Sequence, residues 1–282
     1  MRNNLRWYAG NISTDLYSEY HRYFPDRPVN CKFVETREQH KKDRASKEPL
    51  KRHPSLTDAT WLSRIHDRLV ETAKFYAPYR PRFYSLEMRA GLPTPPLSGT
   101  STFATNPSSR CVAALRGRYG SLHALNEQWD TTFLNWDSVT PSSTEEAMKR
   151  PDENFSAWSD FKDWMDIACA AALKMGTDAV RSVDPQAYVD IGGGQMPGWG
   201  GYDYSPITSS LNAIEPYDVG NNIAIIGSLN PGMFVTTPSF ARGPSEKHRV
   251  WYEALHDPAG RWEIRVRDML TVQSKTTAVE VF

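Results

Sequence analysis

The residues best suited to chemistry are carboxylates placed where short apolar runs give way to turns. Glu87 closes YSLEM, Glu215 and Asp218 close NAIEPYD, Asp190 and Asp203 flank a glycine-rich loop, and Glu263 lies inside RWEIRV. Two carboxyl groups facing one bond can divide acid, base and nucleophile roles. For a glycosidic bond the separation is about 5–5.5 Å when configuration is retained and about 6.5–9.5 Å when it is inverted.

Each candidate also has a plainer reading. Glu87 sits among Arg80, Arg82 and Arg89 and suits an ion pair as well as an acid. Glu215 precedes Pro216, so its backbone is extended, and it could equally hold a substrate by hydrogen bonds. Asp190 reads as structural. Trp199 and Tyr202, in GGGQMPGWGGYDY, suit a stacking platform for a sugar ring or a packed loop. His248 and His256 are two helical turns apart, about 12 Å by helical rise, and form no metal pair. No H-E-x-x-H, G-x-S-x-G or P-loop string occurs. The glycines of 192–201 lack the G-x-G-x-x-G frame, so no nucleotide site is expected.

Composition narrows the partners. Lys plus Arg and Asp plus Glu are 33 each over 282 residues, which supplies no field for nucleic acid or anionic lipid. The basic stretch 37–53 is interrupted by Glu38, Asp43 and Glu48 and reads as a solvated face. Cys31, Cys111 and Cys169 have neither zinc nor CxxC spacing and are expected to be reduced thiols. The first residues carry no apolar signal segment, and no run approaches a membrane span, so a cytoplasmic chain is expected.

The elements that must position these groups alternate in type. Residues 5–10 read as a strand, 13–24 as a helix and 30–36 as another extended run. Trp61, Ile65, Leu69, Ala73 and Ala77 recur at spacing four, predicting a helix over 55–77 with Thr57 or Asp58 as cap. A strand follows at 82–88, then a Pro/Ser/Thr-rich surface loop at 93–107. Helices are predicted at 108–120, ending at Gly120, and at 155–183, with Phe155, Trp158, Phe161, Met165, Ala168 and Ala172 on one side. Strands at 187–193, 211–218, 233–239 and 261–266 complete the pattern, with a helix at 246–257. Such alternation implies parallel βα units in one domain spanning 1–282, as a doubly wound sheet or a β/α barrel. Both carry their sites at the C-terminal ends of the strands.

RHPSLTDATWL followed by YAPYRPRFYSL, and above all RGRYGSLHALNEQWDTTFLNWDSVTP, resemble the family 42-type β-galactosidases of the (β/α)8 clan. GGGQMPGWGGYDY, IEPYDVGNN and EKHRVWYEALH extend the likeness over about residues 15–260. The resemblance implies a TIM barrel of the (β/α)8 type that acts on terminal β-linked sugars without a cofactor. Glu87 would then be the acid/base and Glu215 the nucleophile or stabilising carboxylate. Arg89, Trp199, Tyr202, Asp203, Tyr217 and Asp218 would shape the sugar site, and no metal is expected.

Two departures accompany it. Relatives read Y-x-L-G-D-E-x-G-I at the fourth strand, and the ungapped match puts Arg89 at the final glutamate; a two-residue shift is needed to make Glu87 the acid. Arginine stays protonated near neutral pH and cannot serve as a proton donor. The seventh strand, where the clan keeps its nucleophile, reads VTTPS. If WYAG is the third strand, about six βα units are present, with 267–282 a divergent tail. That implies an incomplete barrel, a missing N-terminal segment or a homo-oligomer covering its edges. A catalytically inactive carbohydrate-binding remnant is the alternative to an enzyme.

Overall fold

The computed structural model describes residues 7–10, 12–13, 39, 42–43, 56–86, 109–142, 144–194, 203–216, 222–238, 251, 255 and 263–265. The helix expected at 13–24, the run at 30–36, Cys31, the loop at 93–107 and the tail at 267–282 lie outside them. Of the helix expected at 246–257, Trp251 and Leu255 are described, and both are helical.

Helix α1 spans Ala59–Tyr76. Asp58 caps it by accepting from the Trp61 N–H at 2.8 Å, an interaction of about 1 kcal/mol in helices generally. Its stripe buries Ile65, Leu69 and Ala73, as the spacing predicts. A 3-10 turn at Ala77–Tyr79 leads to strand β1, Phe83–Ser85. Four helices follow: α2 (Ser109–Tyr119), α3 (Leu122–Trp129), α4 (Thr144–Met148) and the long α5 (Ser156–Arg181). Then come β2 (Tyr188–Asp190), β3 (Gly192–Gly194), α6 (Tyr204–Ser210), β4 (Ala213–Pro216), α7 (Asn222–Leu229), β5 (Phe234–Pro238) and β6 (Glu263–Arg265).

All strand pairs are parallel and their spatial order follows the chain. Ala9 bridges Tyr84 in β1, β1 pairs β2, β3 pairs β4, β4 pairs β5 and β5 pairs β6. β2 and β3 are consecutive stretches of one strand, using one edge for β1 and the other for β4. Of the strand expected at 5–10, residues 7–10 are described, and they contribute a single isolated bridge, with Ala9 N–H donating to the Phe83 carbonyl and Ser85 N–H donating to the Ala9 carbonyl. Helices α1, α5, α6 and α7 pack successively on one side of the sheet. A singly wound order of this kind is the barrel alternative, since a doubly wound sheet reverses its strand order and covers both faces with helices.

Side-chain alternation separates the two faces. Ala9, Tyr84, Val189, Ile191, Ile214 and Val235 face the helices and join Ile65, Leu69, Leu173 and Ile226 in the main core. Phe83, Ala213 and Phe234 face the other way, with Tyr8 and Tyr188 against them.

That second face is concave. Phe83 on β1 and Phe234 on β5 are three strands apart, about 14 Å in a flat sheet, yet their ring centroids lie 6.2 Å apart. Tyr188 and Phe234, two strands apart, approach to 4.8 Å. Arg82 lies over both rings of that pair. The chain therefore folds as part of a β/α barrel whose axis runs beside these rings.

Helix α5 requires a correction. The sequence places Phe155, Trp158, Phe161, Met165, Ala168 and Ala172 on one buried side. In the structure Phe161 and Ala172 are buried, Trp158, Met165 and Ala168 are half-buried, and Phe155 is exposed. The helix has two burial faces rather than one. Its first turns, with Ala157 and Phe161, pack on α2 and α3, while Cys169, Leu173 and Val180 pack on the barrel core. A single stripe cannot represent a helix that changes partner along its length.

Candidate functional site

The inward residues of the strands repeat one pattern. β1 reads Phe-Tyr-Ser, β2 Tyr-Val-Asp, and the first three residues of β4 and β5 read Ala-Ile-Glu and Phe-Val-Thr. In each, the first residue faces the axis, the second faces the helices and the third returns to the axis. The barrel is thus filled by apolar groups below and, nearer the C-terminal ends, by Ser85, Asp190, Glu215 and Thr236. All four are fully buried.

Register assigns these groups to levels. Gly192 pairs with Glu215, so Asp190, two residues earlier, faces Ala213, which pairs with Phe234. The side chain Asp190 meets is instead Thr236, two residues further along β5, whose hydroxyl donates to its carboxylate at 3.4 Å. Tyr188 shows the same displacement in meeting Phe234. An advance of two residues over two strands is the stagger of a barrel whose layers come from alternate strands. By that stagger Ser85 of β1, in register with Asp190, shares its level with Glu215 of β4.

Local hydrogen bonds hold these strand ends. Ser13 Oγ donates to the Leu86 carbonyl at 2.5 Å and Ile12 N–H to the Ser85 carbonyl at 3.0 Å. Asn212 ties three strands at their starts. Its amide donates to Ala187, its side-chain oxygen accepts from Val189 N–H, and its carbonyl accepts from Phe234 N–H. Glu215 N–H donates to the Ile191 carbonyl at 3.0 Å. The register shifts between Gly192 and Gly194, beside Glu215.

Of the residues expected to act, Glu215 is thus on the inner face of β4, at the level of Ser85 and beside the Asp190–Thr236 bridge. Asp203 is the exposed N-cap of α6, accepting from Ser205 N–H at 2.8 Å. Its charge adds to the burial that raises the Asp166 carboxyl above the ordinary range, against the opposing effect of Lys162. Glu87, Arg89, Trp199, Tyr202, Tyr217 and Asp218 lie outside the described residues. Ser85 and Thr236 were not anticipated, and Asp190 was read as structural. The signal that finds them is the repeated strand triplet, with a polar group at the same phase in each strand.

The segment 116–141, the most specific in sequence, builds a second polar centre within a core cluster separate from those of the sheet. Asp160 of α5 is buried and accepts from the Trp129 indole at 2.7 Å and from the Tyr119 hydroxyl, while Arg118 pairs with it at 2.9 Å. Burial and the hydrogen bond to Asp160 push the Tyr119 hydroxyl up to about 12. Burial and the same negative charge push the Cys111 thiol up to about 12. A thiol protonated to that degree is an inert core group.

Among the described residues no cluster of His, Cys, Asp and Glu is arranged to hold a metal ion, and no helix is long and apolar enough to cross a membrane.

No protein-family model matches the chain, and no curated protein matches it. Solved structures do. The catalytic domain of a β-amylase from Paenibacillus polymyxa is similar over 71% of this chain and 62% of that one, at 16% identity and a TM-score of 0.52. The β-galactosidase of Rahnella sp. R3 is similar over 74% of this chain and 34% of that one, at 14% identity and a TM-score of 0.55. The β-galactosidase of a Bacillus circulans strain is similar over 93% of this chain and 50% of its own, at 12% identity and a TM-score of 0.53. In each case the chain spans less than two thirds of its neighbour. At these identities the likeness shows the fold alone, part of a TIM barrel, and singles out no family.

Proposed function

We propose that the protein hydrolyses glycosidic bonds at the C-terminal end of its barrel, with terminal β-galactosides as the substrate class. The observation that carries this is the placement of Glu215: a carboxylate on the inner face of β4, fully buried, at the level of Ser85 and beside the Asp190–Thr236 bridge. Barrels of this kind carry their chemistry at that end. A buried carboxylate there is suited to stabilise or attack an anomeric carbon, because water does not screen its charge. Glu87, two residues beyond Ser85 on the same segment, is the proposed acid/base.

The test is hydrolysis of an aryl β-galactoside by the full chain. Glu215→Gln and Glu87→Gln should each lower kcat by at least about a hundredfold, the order of one general acid or base. Full activity in either variant would remove that residue from the mechanism.

A second reading is supported by Arg89, which occupies the proton donor's place in the ungapped match. In that reading the barrel binds a sugar without turning it over. Binding of galactose with no hydrolysis would favour it, and activity appearing in Arg89→Glu would show which alignment holds.

A further inference from the structure

The side chains along the barrel axis shrink toward Glu215. Tyr8, Phe83, Tyr188 and Phe234 fill the lower part. Gly192 on the neighbouring strand is in register with Glu215, and Ser85 on the alternate strand shares its level by the barrel stagger. Gly192 lies in a paired strand, where the extended backbone does not call for glycine. A glycine inside a strand often marks close approach by a ligand or another backbone. The register shift that follows it is a bulge-like irregularity, a feature over-represented beside active sites.

Ser85 supplies the second observation. Its Oγ is buried from solvent and has no hydrogen-bond partner among the described residues. Leaving a buried hydroxyl unpaired costs about 1–3 kcal/mol, and native structures rarely carry one without a reason. The orientation of the side chain is settled by its strand: Tyr84 faces the helix layer, so Ser85 faces the axis. Gly10, in register with Ser85 through the Ala9–Tyr84 bridge, is exposed.

We infer that Ser85 and Gly192 form a hydroxyl-reading subsite beside Glu215, in which Ser85 Oγ hydrogen-bonds a hydroxyl of a neutral sugar ring and Gly192 leaves the room the ring edge needs. The inference rests on the reading of the barrel as a glycosidase-type site. It adds which residues discriminate the sugar. The contact is non-covalent and needs no further reactant.

The test is calorimetric titration of methyl β-D-galactoside into the full chain, Ser85→Ala and Gly192→Ala, with the Tm of each free protein measured alongside. Ser85→Ala should weaken binding about five- to tenfold, the value of one hydrogen bond, and leave the free Tm unchanged or higher. Gly192→Ala should weaken it at least as much by filling space. Equal affinity in both variants and the unaltered chain would overturn the subsite while leaving the glycosidase reading intact. A fall in Tm for Ser85→Ala would make Ser85 structural and also overturn it. An unaltered chain that binds no galactoside would overturn the functional reading and the subsite together.

Discussion

The Thr236 hydroxyl reaches the Asp190 carboxylate across an intervening strand, 3.4 Å away over the concave face of the sheet. In a flat sheet their strands would stand about 9.5 Å apart. The small Ala213 lies between them and leaves the path clear. This contact, with the Tyr188–Phe234 ring pair below it, records the curvature that brings polar strand ends together.

Replacing that hydroxyl tests how much the bridge contributes. Thr236→Val keeps the shape and removes the donor, so it should destabilise the fold by about 1–2 kcal/mol in urea unfolding. A variant as stable as the original would mean that the bridge is incidental to the curvature.

The Asp160 centre should be the more sensitive one. Asp160→Ala leaves the Trp129 indole and the Tyr119 hydroxyl without their acceptor and Arg118 without a buried partner. A loss of about 2–4 kcal/mol is expected from the two donors left unpaired, since the half-exposed Arg118 is rehydrated. Unfolding followed by tryptophan fluorescence reads it, and a loss below about 1 kcal/mol would contradict the role assigned here.

Alkaline pH should loosen the same region. Burial raises the Cys111 thiol from 9.0 and the Tyr119 hydroxyl from 10.0, each to about 12, with Asp160 adding to both. A group whose folded pKa is raised stabilises fully below its unfolded pKa and loses that contribution as pH climbs through the folded value. The urea midpoint should therefore hold up to about pH 9 and fall between there and pH 12. In Tyr119→Phe the part of the decline above pH 10 should be shallower. An unchanged slope would refute the assignment.

Gly120 offers a backbone test. It ends α2 with φ +69°, and a Cβ built there meets nothing within 4 Å. The cost of Gly120→Ala is then conformational alone, about 1 kcal/mol. A Tm equal to the original would show that the turn relaxes.

Helix α1, its cap at Thr57 or Asp58, the strand cores at Phe83–Ser85 and Ala213–Pro216 and the Gly120 stop could be read from the chain, because each depends on neighbours in sequence. Periodicity and capping are local effects. The two-faced burial of α5 could not, since its partners α2, α3 and the barrel core come from different parts of the chain.

The site divides in the same way. That strands end in polar or acidic residues, and that Glu215 stands at one of those ends, is legible in the chain. Which of those residues share a level was decided by tertiary structure. Whether Glu215 lies with Ser85 or beside Asp190 depends on strand register and barrel stagger. Those are set by the summed packing of Phe83, Tyr188, Ala213 and Phe234 around the axis, groups far apart in sequence that meet only when the sheet curls.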